Sequence, residues 1–222
     1  MKMEAVRMTE SFARKEVLKT AKAIAARGFA LGTSGNISCR VKDGLIITPS
    51  GRAYDTMLEE DLSLVSLTDG SFTGPYAPSI EASMHRAIYL LRPDVHAIVH
   101  THSPYAVAAA SLMGVDRIEP VDIEAVLYLG GSIAVAPFAP PGSEALAQAV
   151  GGSIGDRAAV LLKNHGGVGV GKDMASALSA ADHLERLCQV SLLVKQAGRL
   201  EPLPAKYITA AMAQYKEKNG IQ

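Results

Sequence analysis

The sequence predicts an α/β or α+β fold in one domain, built on a mixed or largely antiparallel sheet. Three observations carry that reading. Short β-rich runs alternate with helical patterns along the whole 222 residues. The early β-rich runs are joined by the turn dipeptides Asp43-Gly44 and Asp69-Gly70, which mark hairpins and therefore antiparallel neighbours. No internal repeat and no low-complexity linker divides the chain, so residues 1–222 are expected as a single domain.

Each element has its own signal. Val17, Leu18, Ala21, Ile24 and Ala25 recur at helical spacing, so 9–27 reads as a helix that Gly28 stops. A small polar loop, Gly32-Thr33-Ser34-Gly35-Asn36, follows. Residues 37–41 and 45–48 read as paired strands, and 62–67 as another. Pro78 precedes a helix over about 80–91. Residues 95–102 are β-rich, and a helix begins near Pro104. Residues 119–129 read as helix and 132–138 as strand. Ser143 caps a helix over 143–151. Residues 159–164 read as a buried strand and 166–171 as a glycine-rich turn. Two helices, 172–196 and 206–218, finish the chain.

Composition removes several classes of function. Lys plus Arg and Asp plus Glu are both 22, so the formal charge is zero and bulk-charge nucleic-acid binding is not expected. The two cysteines, Cys39 and Cys188, are far apart, which excludes a disulfide framework and a cysteine-based zinc site. Met1 to Gly28 mixes Glu4, Glu10 and Glu16 with apolar residues, unlike a secretory h-region. The longest apolar zone, Ala125 to Pro141, is broken by Gly130, Gly131 and Pro137, well short of the roughly 20 apolar residues of a membrane span. A soluble, cytoplasmic protein without a membrane partner is expected.

The histidines carry the chemistry. His100-Thr101-His102 lies on a β-rich run, and residues two apart in a strand face the same side. The pair can present two imidazoles to one metal ion; hydrogen-bonded histidines would use the same spacing. His96 shares that face but sits roughly 20 Å from His102 at about 3.3 Å per residue. It reads as a strand-end residue. His183, among Ala180, Ala181 and Leu184, reads as structural or exposed. His165 ends an apolar strand and opens a glycine run, so it is the candidate third ligand. Three histidines plus an open position is the pattern of a catalytic zinc.

Glu81 stands at a helix start, where a carboxylate either complements the helix dipole or, beside a metal, ligates it or moves a proton. His85 follows one helical turn later and reads as a support for the site or as structural. The loops at 32–36 and at Thr48-Pro49-Ser50-Gly51 offer hydroxyls and backbone N–H groups of the kind that cradle phosphate, a composition shared with ordinary turns.

Taken in order, five segments resemble the class II aldolase/adducin-like family, and its L-fuculose-1-phosphate aldolase group most. They are Gly32-Thr33-Ser34-Gly35-Asn36-Ile37-Ser38, Ile47-Thr48-Pro49-Ser50-Gly51, Pro78-Ser79-Ile80-Glu81, Ala97-Ile98-Val99-His100-Thr101-His102 and Asn164-His165-Gly166. The resemblance implies a three-layer fold, with a central, mainly antiparallel sheet flanked by helices. It implies a homotetramer with active sites at subunit interfaces. It makes His100, His102 and His165 the ligands of Zn²⁺, with Mn²⁺ or Co²⁺ able to replace it. Glu81 becomes the catalytic acid/base, able to cap the metal when substrate is absent. Thr33, Gly35, Asn36, Ser50, Gly51 and Ser79 are assigned to a substrate phosphate. The implied reaction cleaves a ketose 1-phosphate to dihydroxyacetone phosphate and an aldehyde through a metal-stabilised enediolate. L-fuculose 1-phosphate and deoxy- or methylthio-pentulose phosphates are the candidate substrates.

Two departures keep related reactions open. The family's aldolases commonly carry a second serine before the glutamate; Ile80 stands there. Their proton-transfer tyrosine after the HxH helix aligns with Glu124, which reads as a second acid/base or as a structural carboxylate; Tyr128 is out of register. A further tyrosine in the family's carboxy-terminal tail aligns with Tyr215, which would then reach a neighbouring subunit's site. The alternatives are a metal-dependent dehydratase, decarboxylase or epimerase of the same fold, acting on a sugar phosphate or sugar acid. A non-catalytic adducin-type interaction module has no need of the intact histidines and Glu81.

Overall fold

The computed structural model describes residues 9–221. The first eight residues, part of the segment read as free of a secretory signal, lie outside the described residues. The chain runs α1 (Glu10–Ala26), β1 (Asn36–Val41), β2 (Gly44–Ile47), a 3₁₀ turn (Glu59–Asp61), β3 (Ser63–Ser66), β4 (Phe72–Thr73) and α2 (Ala82–Leu91). It continues with β5 (Ala97–Thr101), α3 (Pro104–Ala110), β6 (Arg117–Ile118), α4 (Ile123–Leu129), β7 (Ile133–Ala136) and α5 (Glu144–Ile154). The last elements are β8 (Ala159–Leu162), β9 (Gly166–Gly171), α6 (Met174–Ala197) and α7 (Ala205–Asn219).

Among the described residues the strands form one nine-stranded sheet, ordered β4-β3-β2-β1-β5-β9-β8-β7-β6. Only β7 and β8 pair in parallel. The fold is the expected α/β arrangement, a mainly antiparallel sheet between helical layers. Alternation along the strands fills both faces. Ile98 of β5, with Val168 and Val170 of β9, joins Met84, Ile88 and Val150 from α2 and α5. Ala97 and Val99 of β5 join Val17, Ile24, Ala177 and Ala181 from α1 and α6. His100 shares a face with Ile98, so it points to the α2 side. Ile37 and Cys39 of β1 face α1, which sends Asn36 and Ser38 to the α2 side as well.

Three readings of the sequence are corrected. Residues 166–171 form strand β9, not a turn. Glycine is ordinarily depleted in strands, but here Gly167, Gly169 and Gly171 face α6, which lies almost on the backbone. A Cβ on Gly169 would sit 2.7 Å from the Ala181 nitrogen. The first hairpin turns at Lys42-Asp43 rather than Asp43-Gly44, because Gly44 already pairs with Val41. Gly44 is demanded by the approach of the Val65 carbonyl, which a Cβ would strike. The helix expected from 119 begins at Ile123. Pro120 precedes it, Asp122 caps it by accepting from the Ala125 N–H at 3.0 Å, and residues 117–118 form β6.

No helix among the described residues is long and apolar enough to cross a membrane. Cys39 and Cys188 are both buried and form no disulfide.

Candidate metal centre

The site forms where three segments meet. His100 is the fourth residue of β5, and His102 lies just past its end. There the His102 N–H donates to the Phe29 carbonyl at 2.9 Å. His165 is the last residue of the tight β8–β9 turn, which Leu162 and Gly166 close as a strand pair. Asn164 in that turn takes a left-handed φ of 55°. Gly166 must be glycine, since a Cβ would enter the Thr101 carbonyl. Glu81 occupies the cap position of α2, and its own N–H is held by the Ser79 hydroxyl at 3.3 Å.

The four side chains converge. Nε2 of His100 and Nε2 of His102 are 3.0 Å apart. Glu81 Oε2 lies 3.2 Å from His100 Nε2, and Oε1 lies 3.4 Å from His165 Nε2. The three rings meet edge to face, with centroids 4.8 to 4.9 Å apart. One donor atom from each of the four residues falls within 4.8 Å of all the others. His100 Nδ1 donates to the Gly167 carbonyl at 3.0 Å, which leaves the Nε2 lone pair facing the cluster. Nitrogen lone pairs crowded with a carboxylate are what a divalent metal requires and what a metal-free core would avoid. The donor set fits such an ion.

Burial shapes the charge states. Burial alone would raise the Glu81 carboxyl, but His100, the Asn36 hydrogen bond and His165 outweigh it and hold the group ionised, well below the usual carboxylate range. Burial, then His100 and His165, push His102 down to about 4. Burial and His100 also lower His165. A lowered His102 and His165 beside an anionic carboxylate suit a metal ligand set, which binds neutral imidazole.

Beside the cluster lies a cavity of about 280 Å³. Thr33, Gly35, Asn36, Ser50, Gly51 and Ser79 all line it, together with Ile80, Glu81, His102 and His165. Two backbone links bring its walls together: Ser50 N–H donates to the Ala77 carbonyl and Ser79 N–H to the Thr48 carbonyl, each at 3.0 Å. These N–H groups are spent, so Ser50 and Ser79 offer their hydroxyls. Gly35 (φ 74°) is demanded by the His100 carbonyl, 2.7 Å from where its Cβ would be. No lysine or arginine lines the cavity among the described residues.

The Asn36 side chain is engaged elsewhere. Its Nδ2 donates to Glu81 Oε2 at 2.8 Å, and its Oδ1 lies 2.6 Å from His85 Nε2. His85 in turn meets Ser38 Oγ at 2.7 Å, and Ser38 meets the Tyr89 hydroxyl at 2.8 Å. Ser38 and Tyr89 escape sequence reading. The available signal is their spacing, two residues after Asn36 and four after His85.

Two expected residues stand apart. Glu124, in the first turn of α4, is on the surface and pairs with Arg186 of α6 at 2.8 Å. Tyr215 does not point outward to a neighbour. Its ring is buried in the chain's own core against Gly130, and its hydroxyl donates to the Asp156 carbonyl at 3.4 Å. His96 donates its N–H to the Gly171 carbonyl, away from the cluster. His183 stacks on Tyr128 with centroids 4.0 Å apart.

Residues 15–192 match the profile of the family described as Class II Aldolase and Adducin N-terminal domain. The chain is 35% identical over 197 residues to 5-deoxy-D-ribulose 1-phosphate aldolase of Bacillus thuringiensis serovar kurstaki, covering 86% of this chain and 89% of that one. It is also 35% identical over 211 residues to 3-oxo-tetronate 4-phosphate decarboxylase of Pectobacterium atrosepticum, covering 93% of each. Its fold superposes on a solved L-fuculose 1-phosphate aldolase with a TM-score of 0.88 and 27% identity, over 96% of this chain and 100% of that one.

Proposed function

Since the chain belongs to the class II aldolase and adducin family, we propose that it is a metal-dependent aldolase that cleaves a small ketose 1-phosphate to dihydroxyacetone phosphate and an aldehyde. The observation that carries this is the convergence of three imidazoles and one carboxylate within 4.8 Å, opening on a cavity of neutral hydrogen-bond donors. A 5-deoxypentulose 1-phosphate is the favoured substrate, on the strength of the similarity to the Bacillus enzyme.

His100, His102 and His165 would hold the ion, and three nitrogen donors favour Zn²⁺ over harder cations. When bound, it supplies positive charge against the negative charge that develops on the substrate oxygens. The chain's own groups do the rest. Breaking the bond between C3 and C4 removes a proton from the C4 hydroxyl and returns one to C3. Glu81, buried and ionised, would take up the proton that the C4 hydroxyl releases and return it to C3. The hydroxyls of Thr33, Ser50 and Ser79, with the backbone at Gly35 and Gly51, would bind the phosphate without a cationic side chain. Asn36 serves Glu81 rather than the phosphate through its side chain. Glu124 and Tyr215 take no part in this proposal. The single-domain homotetramer in the cytoplasm that the family resemblance implies belongs to the same proposal, and light scattering tests its oligomeric part.

A second reading has specific support, since the similarity to the decarboxylase is as strong. Loss of CO₂ from a 3-oxo acid phosphate also leaves a carbanion beside a carbonyl, and Glu81, once protonated from water, would give its proton to that carbon. The test is product identification with zinc-loaded protein on 5-deoxyribulose 1-phosphate, 5-methylthioribulose 1-phosphate, L-fuculose 1-phosphate and 3-oxo-tetronate 4-phosphate. Dihydroxyacetone phosphate that disappears with Glu81→Gln supports the aldolase. CO₂ release from the last compound alone overturns it in favour of the decarboxylase.

A further inference from the structure

We propose that His85 is a positioning residue, the central link of a one-directional hydrogen-bond ladder that orients the Glu81 carboxylate. This rests on the reading of Glu81 as the acid/base. Glu81, His85 and Tyr89 recur every four residues along one face of α2. Asn36 and Ser38 recur every two along one face of β1. Four helical residues advance about 6 Å and two strand residues about 6.6 Å, so the two rows stay in step. Side chains from helix and strand alternate: Glu81, Asn36, His85, Ser38, Tyr89. Every contact is between 2.6 and 2.8 Å, and every member is buried.

The chemistry of each link fixes the direction of the next. An ionised carboxylate only accepts, so Asn36 must turn its NH₂ to Glu81. The Asn36 carbonyl then faces His85 and can only accept, so His85 carries its proton on Nε2. Complete burial opposes a second proton on the ring. Nδ1 is therefore a lone pair that accepts from the Ser38 hydroxyl, and Ser38 accepts from Tyr89. Reversing any link would set two acceptors face to face in a buried site. The far end is held too: the Arg40 guanidinium lies 4.8 Å from the Tyr89 ring centre. At the near end the ladder grips Oε2, while Oε1 has no hydrogen-bond partner and faces His165. One carboxylate oxygen is anchored and the other is left for chemistry.

The test compares His85→Gln with His85→Asn. Glutamine reaches the Nε2 position and can still donate to Asn36; asparagine reaches only the Nδ1 position. In zinc-loaded protein, His85→Asn should lower kcat about 10- to 100-fold, with KM and zinc stoichiometry held. His85→Gln should restore most of kcat. Long-range ¹H–¹⁵N NMR of the wild-type protein should show the Nε2–H tautomer of His85. Equal kcat in the two variants, or an Nδ1–H tautomer, overturns the proposal. The NMR readout needs no substrate, so a wild-type protein inactive on every substrate would overturn the functional reading while the tautomer still decides the ladder.

Discussion

At the residue scale the site sets buried and half-buried imidazoles against a buried carboxylate, and its pH behaviour follows. His85 is held down to about 3 and His102 to about 4, chiefly by burial. A free imidazole titrates near 6.5. Between those values the unfolded chain binds protons that the fold refuses, so stability is full above about pH 6.5 and is lost as the pH falls toward 4. Urea midpoints of the metal-free protein should decline from pH 7 to pH 4.5; a flat profile would contradict the neutral state of these rings. Glu81→Gln should lower kcat by about 10²- to 10⁴-fold, the usual range for a lost general acid–base. Zinc stoichiometry should hold, because three histidines remain. Much of this cluster is legible in sequence. The strand period of two puts His100 and His102 on one face, and a histidine closing an apolar strand singles out His165. Ser38 and Tyr89 are silent, because a serine in a strand and a tyrosine in a helix acquire meaning only when helix and strand are placed together.

Elements hold those residues in place, and here sequence reading fails where packing overrides propensity. Strand β9 reads as a turn because four of its six residues are glycine. Three of them, Gly167, Gly169 and Gly171, exist for α6, whose backbone nitrogen at Ala181 and carbonyl at Ala177 would be 2.7 and 2.8 Å from a Gly169 Cβ. Gly169→Ala should therefore destabilise by about 1–3 kcal/mol, the cost of overpacking. Gly152→Ala is the control: at an exposed position of α5, with nothing near its Cβ, it should stabilise by about 0.8–1 kcal/mol. Thermal melts of both variants check the pair, and loss of stability in both would refute the distinction. The segment after His102 is clamped from the same helix. The buried Glu185 carboxylate of α6 accepts from Ser103 Oγ at 2.6 Å and from the N–H groups of Tyr105 and Ala106 at 2.9 and 2.8 Å. Glu185→Ala leaves those donors without their partner, at about 1–3 kcal/mol for each that stays dry. Because Ser103 adjoins a candidate ligand, weaker zinc retention in dialysis against a chelator should accompany the lower melting temperature. Undiminished retention would show that His102 is held without the clamp.

At the scale of the whole molecule the cluster ties together parts of the chain far apart in sequence. Glu81 comes from the start of α2, His100 and His102 from the end of β5, and His165 from the β8–β9 turn. The alternating order of helices and strands could be read without knowing these junctions. Their meeting could not, because it depends on β5 pairing with β9 across some 70 intervening residues, counting from His100–Val168. An unfolded chain keeps His100 and His102 adjacent but loses His165 and Glu81, so it holds a metal weakly. Binding must then stabilise the fold by mass action, by about 4 kcal/mol at a thousandfold excess over Kd. For a chain of this size each kcal/mol moves the melting temperature by about 2–4 °C. Removing zinc with a chelator should thus lower Tm by roughly 8–16 °C, and His165→Ala should abolish most of that difference. The same melt separates an enzyme from a scaffold with this fold. A protein that melts identically with and without zinc would have no metal to lose, and its histidines would be packing residues after all.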